Sequence, residues 1–414
     1  MSSCRLCSSR DLTSVLRLKP SPLGDQYLEP GQGAKEAISV PFGINRCGQC
    51  GNFQTEAAIE RDHYQHCLTR PAAVNKVLSD AYRDSIPKLI SLTSLDVNDL
   101  VLEIGSNDGL FASFFANLGY RCLGVDPAKN LAESAAKLGV PTIVEFFNKR
   151  TAHEIVSQHG KAKIIIANFV VANVDDLEDF MAGVSTCLDR HGVFVIETND
   201  VMSIASKQLV ETLVHEHLSY FSVAALSKFL ERHHLEIFHV SKVASKGGSL
   251  RCLIQHMGSE NLRSSTVDSF IVNETSSGLF LNSIWEQFAR TFALASDNAL
   301  RFCEQYYSDG IVGYGTSDGA TTLIYQLGIG SYLRALIDDD PYRQNLESPG
   351  FGIPTVSRDE IFTDPPAALN CLILAPQYVK QIVDKNAAAR GSGVVFAKVW
   401  PSVEIIRNSQ QLGA

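Results

Sequence analysis

The stretch Val101-Leu-Glu-Ile-Gly-Ser-Asn-Asp-Gly-Leu110 decides how this chain reads. Four residues of strand type run into Gly105, a short polar turn carries a second glycine at Gly109, and a mostly apolar, helix-like run follows to Leu118. Glycines at such a turn let the backbone bend tightly and let a ligand approach it closely. The helix that follows adds unpaired N–H groups at its start. Strand, glycine turn and helix therefore predict a ligand seated against residues 105–109.

Downstream the pattern repeats. Strands are expected at 100–104, 121–125, 141–144, 163–167 and 192–197, with helices from Leu110, over 130–138, near 149–158 and near 177–188. Near-continuously apolar strands separated by helical stretches predict a parallel sheet covered on both faces, a doubly wound α/β fold. Segments 235–243 and 249–256 predict a closing antiparallel pair joined at Lys246-Gly-Gly-Ser. Upstream, Val74, Leu78, Tyr82, Ile86 and Ile90 recur at intervals of four and predict a helix over 71–96, which Pro87 should kink or split. Residues 275–308 read as one or two helices. A second, Rossmann-like α/β unit begins at Gly310, with strands at 311–314, 335–337, 371–375 and 394–399 and a helix over 320–327.

The composition bounds the function. A chain of 414 residues is long for one core, and 45% apolar with 20% charged residues is ordinary globular usage. We expect three domains, at 1–70, 71–257 and 258–414. A formal net charge of −9 argues against a nucleic-acid-binding surface. No apolar run approaches the roughly 20 residues that cross a bilayer, and Met-Ser-Ser-Cys-Arg lacks the apolar core of a signal peptide. The expected location is the cytoplasm, with no membrane contact.

Ten cysteines in a reducing compartment point to metal ligands or small core residues rather than disulfides. Cys4-Arg-Leu-Cys7 and Cys47-Gly-Gln-Cys50 form two C-x-x-C pairs, and four thiolates suit a structural zinc ion. Four protein thiolates leave no open position, so a catalytic zinc is disfavoured; the alternative is two unrelated pairs. Residues 8–46 must then form a loop or hairpin that returns the chain. Cys122, Cys187, Cys252, Cys303 and Cys371 read as core, and Cys67 stays open.

Two ligand classes compete for the glycine turn. A dinucleotide asks for G-x-G-x-x-G, whereas the spacing here is Gly105-Ser106-Asn107-Asp108-Gly109. Glu103 inside the strand is placed to accept from an ammonium group, directly or through water, and Asp126 at the second strand's end to take both hydroxyls of a ribose. Here the chain resembles the class I S-adenosylmethionine-dependent methyltransferases, whose motif Glu103, Gly105, Asn107, Gly109 and Asp126 match one by one. The resemblance implies methionine-end contacts from the turn 105–109, Ser106 included, adenine contacts from Glu145 to Phe147, and Asn168 lining the methyl-donor site.

Leu213-Val-His-Glu-His-Leu-Ser-Tyr-Phe-Ser222 is dense in groups able to move protons. The spacing fails H-E-x-x-H, so zinc hydrolysis is disfavoured. The plain reading is a polar loop leading into a helix over 223–231 with Ser222 as N-cap. Taken together, the paired C-x-x-C motifs, Glu103 to Gly109, His-Glu-His-Leu-Ser-Tyr-Phe-Ser, Gly247-Gly-Ser-Leu-Arg251 and Gly313-Tyr-Gly resemble the sugar C-methyltransferase family, which methylates nucleotide-linked 4-keto deoxysugars. The resemblance implies a zinc-binding N-terminal domain, a central methyltransferase domain and a C-terminal Rossmann-like domain that helps close the substrate site. It further implies His217 as the base, with Glu216 and His215 beside it. Asn173, Tyr220, Ser222, Lys246, Gly248, Ser249 and Arg251 are its candidate contacts to a small-molecule acceptor. No obligate protein partner is inferred.

The chain departs from that family at Val214, where a tyrosine is usual, and at Asn173 and Lys246, where histidines are usual. Asp318 and Ala320 stand where a lysine and an asparagine are typical. Cofactor residues are kept while substrate residues change, which points to an altered acceptor or position of attack. Methylation of oxygen, nitrogen or a non-sugar metabolite, and a non-catalytic binding protein, remain the alternatives.

Overall fold

The chain opens on β1 (Leu12–Ser21), β2 (Val40–Cys47) and the short β3 (Phe53–Thr55). A computed structural model describes residues 3–32, 37–59, 71, 76–243, 245–366 and 368–406. Cys67 and Val74 lie outside the described residues, as do the side chains of Leu78 and Lys246. Two compact units divide the chain. The first comprises Met1–Thr13, Asn45–Ser203 and His217–Phe280; the second comprises Ser14–Ile44, Ile204–Glu216 and Leu281–Ala414.

Helix α1 (Lys76–Thr93) begins the α/β part of the first unit and runs through Pro87 as one helix. Of the expected kink or split, the split does not occur. Pro87 removes the N–H that would pair with the Arg83 carbonyl, but both residues are exposed, so water can serve that carbonyl. Buried Tyr82, Ile86 and Leu89 hold the opposite face in the core.

Next come β4 (Leu100–Ile104), α2 (Leu110–Ala116), β5 (Arg121–Val125), α3 (Lys129–Lys137), β6 (Thr142–Ile143), α4 (Lys149–His159), β7 (Ala162–Asn168), α5 (Leu177–Cys187), β8 (Leu188–Asn199) and α6 (Val201–Lys207). After β9 (Ser219–Tyr220) and α7 (Val223–Glu231), the hairpin β10 (Leu235–Val243) and β11 (Ser249–His256) completes a seven-stranded sheet of order β10-β11-β8-β7-β4-β5-β6. Strands β6 to β8 of that order are parallel, and β11 pairs antiparallel with β8. This is the doubly wound α/β fold expected from the sequence.

Alternation along each strand sorts the core into two layers. Leu102, Ile104, Ile165, Phe194 and Ile196 pack with Ile155, Met181 and Val184 on one face. Val101, Ile164, Ile166 and Val195 pack with Phe111, Phe115 and α1 on the other. Each such side chain contributes about 1.5–3 kcal/mol on burial. Local caps fix the helix starts: Asn148 accepts from the Thr151 N–H at 2.9 Å, Asp176 from Asp179 at 3.0 Å, and Ser222 from Ala225 at 3.1 Å.

The chain moves from β4 to β5 and β6 on one side and then to β7 and β8 on the other, so the sheet reverses direction beside β4. The carboxyl ends of β4, β7 and β8 flank this switch point, where open α/β sheets bind ligands.

Helix α8 (Ser265–Ser276) starts well before the expected 275. Its composition is polar, with only Val267 and Glu274 buried, so apolar periodicity is weak and the Ser264 cap is the usable signal. In the second unit, α9 (Asn282–Tyr306) precedes β12 (Ile311–Tyr314), α10 (Asp318–Leu327), β13 (Ala335–Ile337), β14 (Thr355–Val356), β15 (Leu369–Ile373), β16 (Val394–Lys398) and β17 (Glu404–Ile405). These strands form a six-stranded sheet of order β14-β13-β12-β15-β16-β17, parallel except for β17. Among the described residues no helix is long and apolar enough to cross a membrane.

Candidate functional site

Three residues of the turn after β4 adopt left-handed backbone: Gly105 at φ 69°, Asn107 at 50° and Gly109 at 76°. A Cβ on Gly105 would collide with Val170 Cγ2, and one on Gly109 would lie 2.9 Å from Ala135 Cβ. Glycine is therefore required at both positions on conformation and on space. Gly105 N–H donates to the Val125 carbonyl at 2.8 Å, which ties the turn to β5.

Two carboxylates brace this turn. Glu103 is buried in β4, and its Oε2 accepts from the Ala112 N–H in the first turn of α2 at 2.9 Å. Burial pushes its carboxyl up to about 8; the Ala112 bond opposes this, and Asp108 and Asp126 add to it. Asp126, at the end of β5, accepts from the Asn107 N–H through Oδ2 and from the Ala128 N–H through Oδ1, each at 2.8 Å. Burial raises its carboxyl above the ordinary value, partly offset by those two bonds. Asp108 in the same turn is buried, and its Oδ1 accepts from the Leu110 N–H at 3.3 Å. Ser106 Oγ is buried with no hydrogen-bond partner among the described residues.

This donor set fits S-adenosylmethionine. Each oxygen of Asp126 takes one backbone N–H and keeps a lone pair for a ribose hydroxyl. Phe147, beyond β6, offers an aromatic wall held edge-on by Phe180 at 5.3 Å between centroids. Asn168 closes β7, half-buried.

At the carboxyl end of β8 stands Asn199, buried, with Nδ2 3.0 Å from His217 Nδ1. The His217 ring is itself buried and meets Tyr220 edge-on, at 6.0 Å and 85°. Two residues earlier in β8, Glu197 takes the Arg251 guanidinium, at 2.7 Å from Nη2 and 3.1 Å from Nε, and the Ser245 hydroxyl at 2.6 Å. Arg251 is thus committed to a cross-strand ion pair. Ser249 Oγ donates to the Ser245 carbonyl at 2.9 Å, and Gly248, at φ 140°, donates its N–H to the same carbonyl at 3.0 Å. Ser222 caps α7. Asn173 follows β7 in a 3-10 turn, its Oδ1 buried with no partner among the described residues.

His217, Tyr220 and the glycine turn belong to the first unit, whereas His215 and Glu216 belong to the second. His215 stacks on Phe42 at 4.2 Å between centroids, with Nε2 3.4 Å from the Val40 carbonyl. Glu197, Asn199 and Ser245 were not singled out from the sequence. The run Glu-Thr-Asn-Asp closing an apolar strand was the signal for the first two, because polar residues at that edge face the switch point.

At the N-terminus the four sulfurs of Cys4, Cys7, Cys47 and Cys50 lie within 4.8 Å of one another. Cys4 and Cys50 Sγ are 3.5 Å apart, and Cys7 and Cys47 Sγ 3.6 Å. Tetrahedral zinc with bonds of about 2.3 Å places its sulfurs about 3.8 Å apart, so the cluster fits the ion. Both knuckles close alike: Ser8 N–H donates to the Cys4 carbonyl at 2.8 Å and Gly51 N–H to the Cys47 carbonyl at 3.1 Å, with Ser8 and Gly51 left-handed. The bond with Cys50 holds the Cys4 thiol down at about 5, against burial.

Three segments of the chain match models of known families. Residues 4–64 match a family model described as a zinc binding domain, 76–240 a methyltransferase domain, and 244–401 a C-methyltransferase C-terminal domain. The C-methyltransferase NovU of Streptomyces niveus is 26% identical over 410 residues, spanning 97% of this chain and 96% of its own. Among solved structures, an S-adenosylmethionine-dependent methyltransferase from Anabaena variabilis is 15% identical and covers 43% of this chain and 95% of its own, with a TM-score of 0.32. Magnesium protoporphyrin IX methyltransferase from Synechocystis, solved with bound SAH, is 14% identical and covers 48% of this chain and 98% of its own, with a TM-score of 0.36.

Proposed function

We propose that this chain is an S-adenosylmethionine-dependent C-methyltransferase whose acceptor is a nucleotide-linked keto-deoxysugar, methylated at a carbon next to the ketone, with His217 as the base. The observation that carries this reading is the buried His217 ring, held by Asn199 at the carboxyl edge of the sheet that also bears the glycine turn.

Bound S-adenosylmethionine supplies an electrophilic methyl group. The turn 105–109 holds its methionine end, Asp126 its ribose, Phe147 its adenine, and Asn168 lines the donor side. A proton α to a ketone is weakly acidic, and a neutral imidazole in a water-poor site is suited to remove it because it titrates near the working pH. His217 takes that proton, and the resulting enolate carbon becomes the nucleophile. Tyr220 fixes the ring's plane. Asn173 and Lys246 stand where relatives of this kind carry histidines, which supports an acceptor, or a position of attack, differing from the usual 4-keto sugar. We assign the cofactor to residues 71–257 and the zinc to 1–70.

The test is methyl transfer from carbon-13-methyl S-adenosylmethionine to a panel of nucleotide-linked keto-deoxysugars, read by NMR. A product methyl bonded to carbon supports the proposal. A methyl bonded to oxygen or nitrogen, or no transfer to any member of the panel, overturns it.

A further inference from the structure

A base that takes a proton through one imidazole nitrogen needs the other nitrogen held. His217 Nδ1 lies 3.0 Å from the Asn199 carboxamide, so that nitrogen is committed and proton exchange with an acceptor falls to Nε2. Nε2 accepts a proton only if it carries none at rest, which places the ring's single proton on Nδ1. The partner of Nδ1 must then accept.

Asn199 can meet that demand. A carboxamide presents an oxygen and a nitrogen at nearly equivalent positions, and a half-turn about its last bond exchanges them. With Nδ2 facing the ring, Asn199 Oδ1 is buried and has no hydrogen-bond partner among the described residues. With Oδ1 facing the ring, that oxygen gains the Nδ1–H. The ring's proton therefore decides which end faces Nδ1. Asn199 is also rigidly placed: it closes β8, is 2% exposed, and is the register partner of Ser249 in β11. A neutral amide holds the ring without the added charge that a carboxylate would bring to the imidazolium, so the base is oriented and stays a modest one that can release its proton again.

We infer that Asn199 is the positioning residue of the His217 base, its carboxamide oxygen accepting from His217 Nδ1–H so that Nε2 faces the acceptor. This rests on the assignment of His217 as base.

The experiment pairs a spectroscopic reading with kinetics. Nitrogen-15 NMR of histidine-labelled enzyme should show His217 with a protonated Nδ1 and an unprotonated Nε2 near neutral pH. In Asn199→Leu this pattern should shift toward the Nε2-protonated or mixed form. Methyl transfer to the keto-deoxysugar panel should fall at least tenfold in kcat, while calorimetric affinity for S-adenosylmethionine and the melting temperature stay near wild type. Asn199→Gln, if the backbone gives room, should recover part of the loss; Asn199→Asp should keep Nδ1 protonated while the ring becomes harder to deprotonate. An Nε2-protonated ring in the wild type, or an unchanged ring pattern and kcat in Asn199→Leu, overturns the inference. His217→Gln separates the two readings: if it retains turnover, the base assignment itself fails, whereas loss of turnover there with wild-type behaviour in Asn199→Leu removes only the role of Asn199.

Discussion

Arg251 Nη2 lies 2.7 Å from Glu197 Oε2, and the two residues are direct register partners across the antiparallel pair β11–β8. The carboxylate is 2% exposed and takes a second guanidinium bond and a hydroxyl, so its charge is satisfied inside the sheet. Arg251 therefore acts first on the closure of the sheet.

Replacing Arg251 by Ala should strand a buried carboxylate and destabilise the protein by about 3–5 kcal/mol. The pair Arg251→Met with Glu197→Gln should recover most of that. Chemical denaturation measures both. A stable Arg251→Ala enzyme with weakened acceptor binding would instead make Arg251 an acceptor ligand.

Glu103 gives a pH signature. Its folded carboxyl, near 8, lies above the ordinary value of 4.5, so between these limits the native state holds a proton that the unfolded chain releases. Stability should fall as pH rises from about 4.5 to about 8, by a few kcal/mol at most. Glu103→Gln keeps an acceptor for the Ala112 N–H and cannot ionise. Its stability advantage over wild type should widen between pH 5 and pH 8.5 in denaturant titrations; parallel curves would rule out this role.

Asp126→Asn should weaken S-adenosylmethionine binding by about 10- to 100-fold, because one amide hydrogen pair must then face the Asn107 or Ala128 N–H and a charge-assisted acceptor is lost. Calorimetry tests this, with the melting temperature as the control for folding. Unchanged affinity would remove Asp126 from the cofactor site.

Metal analysis should find one zinc per chain, lost on Cys47→Ser. The knuckle packs against the same core as the methyltransferase sheet, since Cys4, Leu6 and Cys47 lie in one apolar cluster with Phe221 and Val223. Loss of zinc should therefore lower the melting temperature as well. Retained metal would reject the four-sulfur site.

The sheet was legible because burial on both faces writes itself as continuous apolar runs: Leu100 to Ile104 reads as a strand and is buried at all five positions. Sequence spacing also brought the two C-x-x-C pairs to one place. Cross-strand register was not legible. Nothing in the separation of Glu197 from Arg251, or of Asn199 from His217, announces that these pairs meet, because register depends on the hairpin turn and on how each strand lies against its neighbour. That Pro87 does not split its helix was illegible for a related reason, as its tolerance depends on which helix face meets water. Helix α8 was read ten residues late because a polar helix carries little periodicity.

The most direct test of His217 as base dispenses with methyl transfer. Enzyme loaded with S-adenosylhomocysteine, given a keto-deoxysugar nucleotide that it methylates and placed in deuterated water, should exchange the proton at the methylated carbon for deuterium. His217→Gln should abolish this exchange, by at least about 100-fold, while binding the cofactor as wild type does. Exchange at the wild-type rate in His217→Gln would contradict the account.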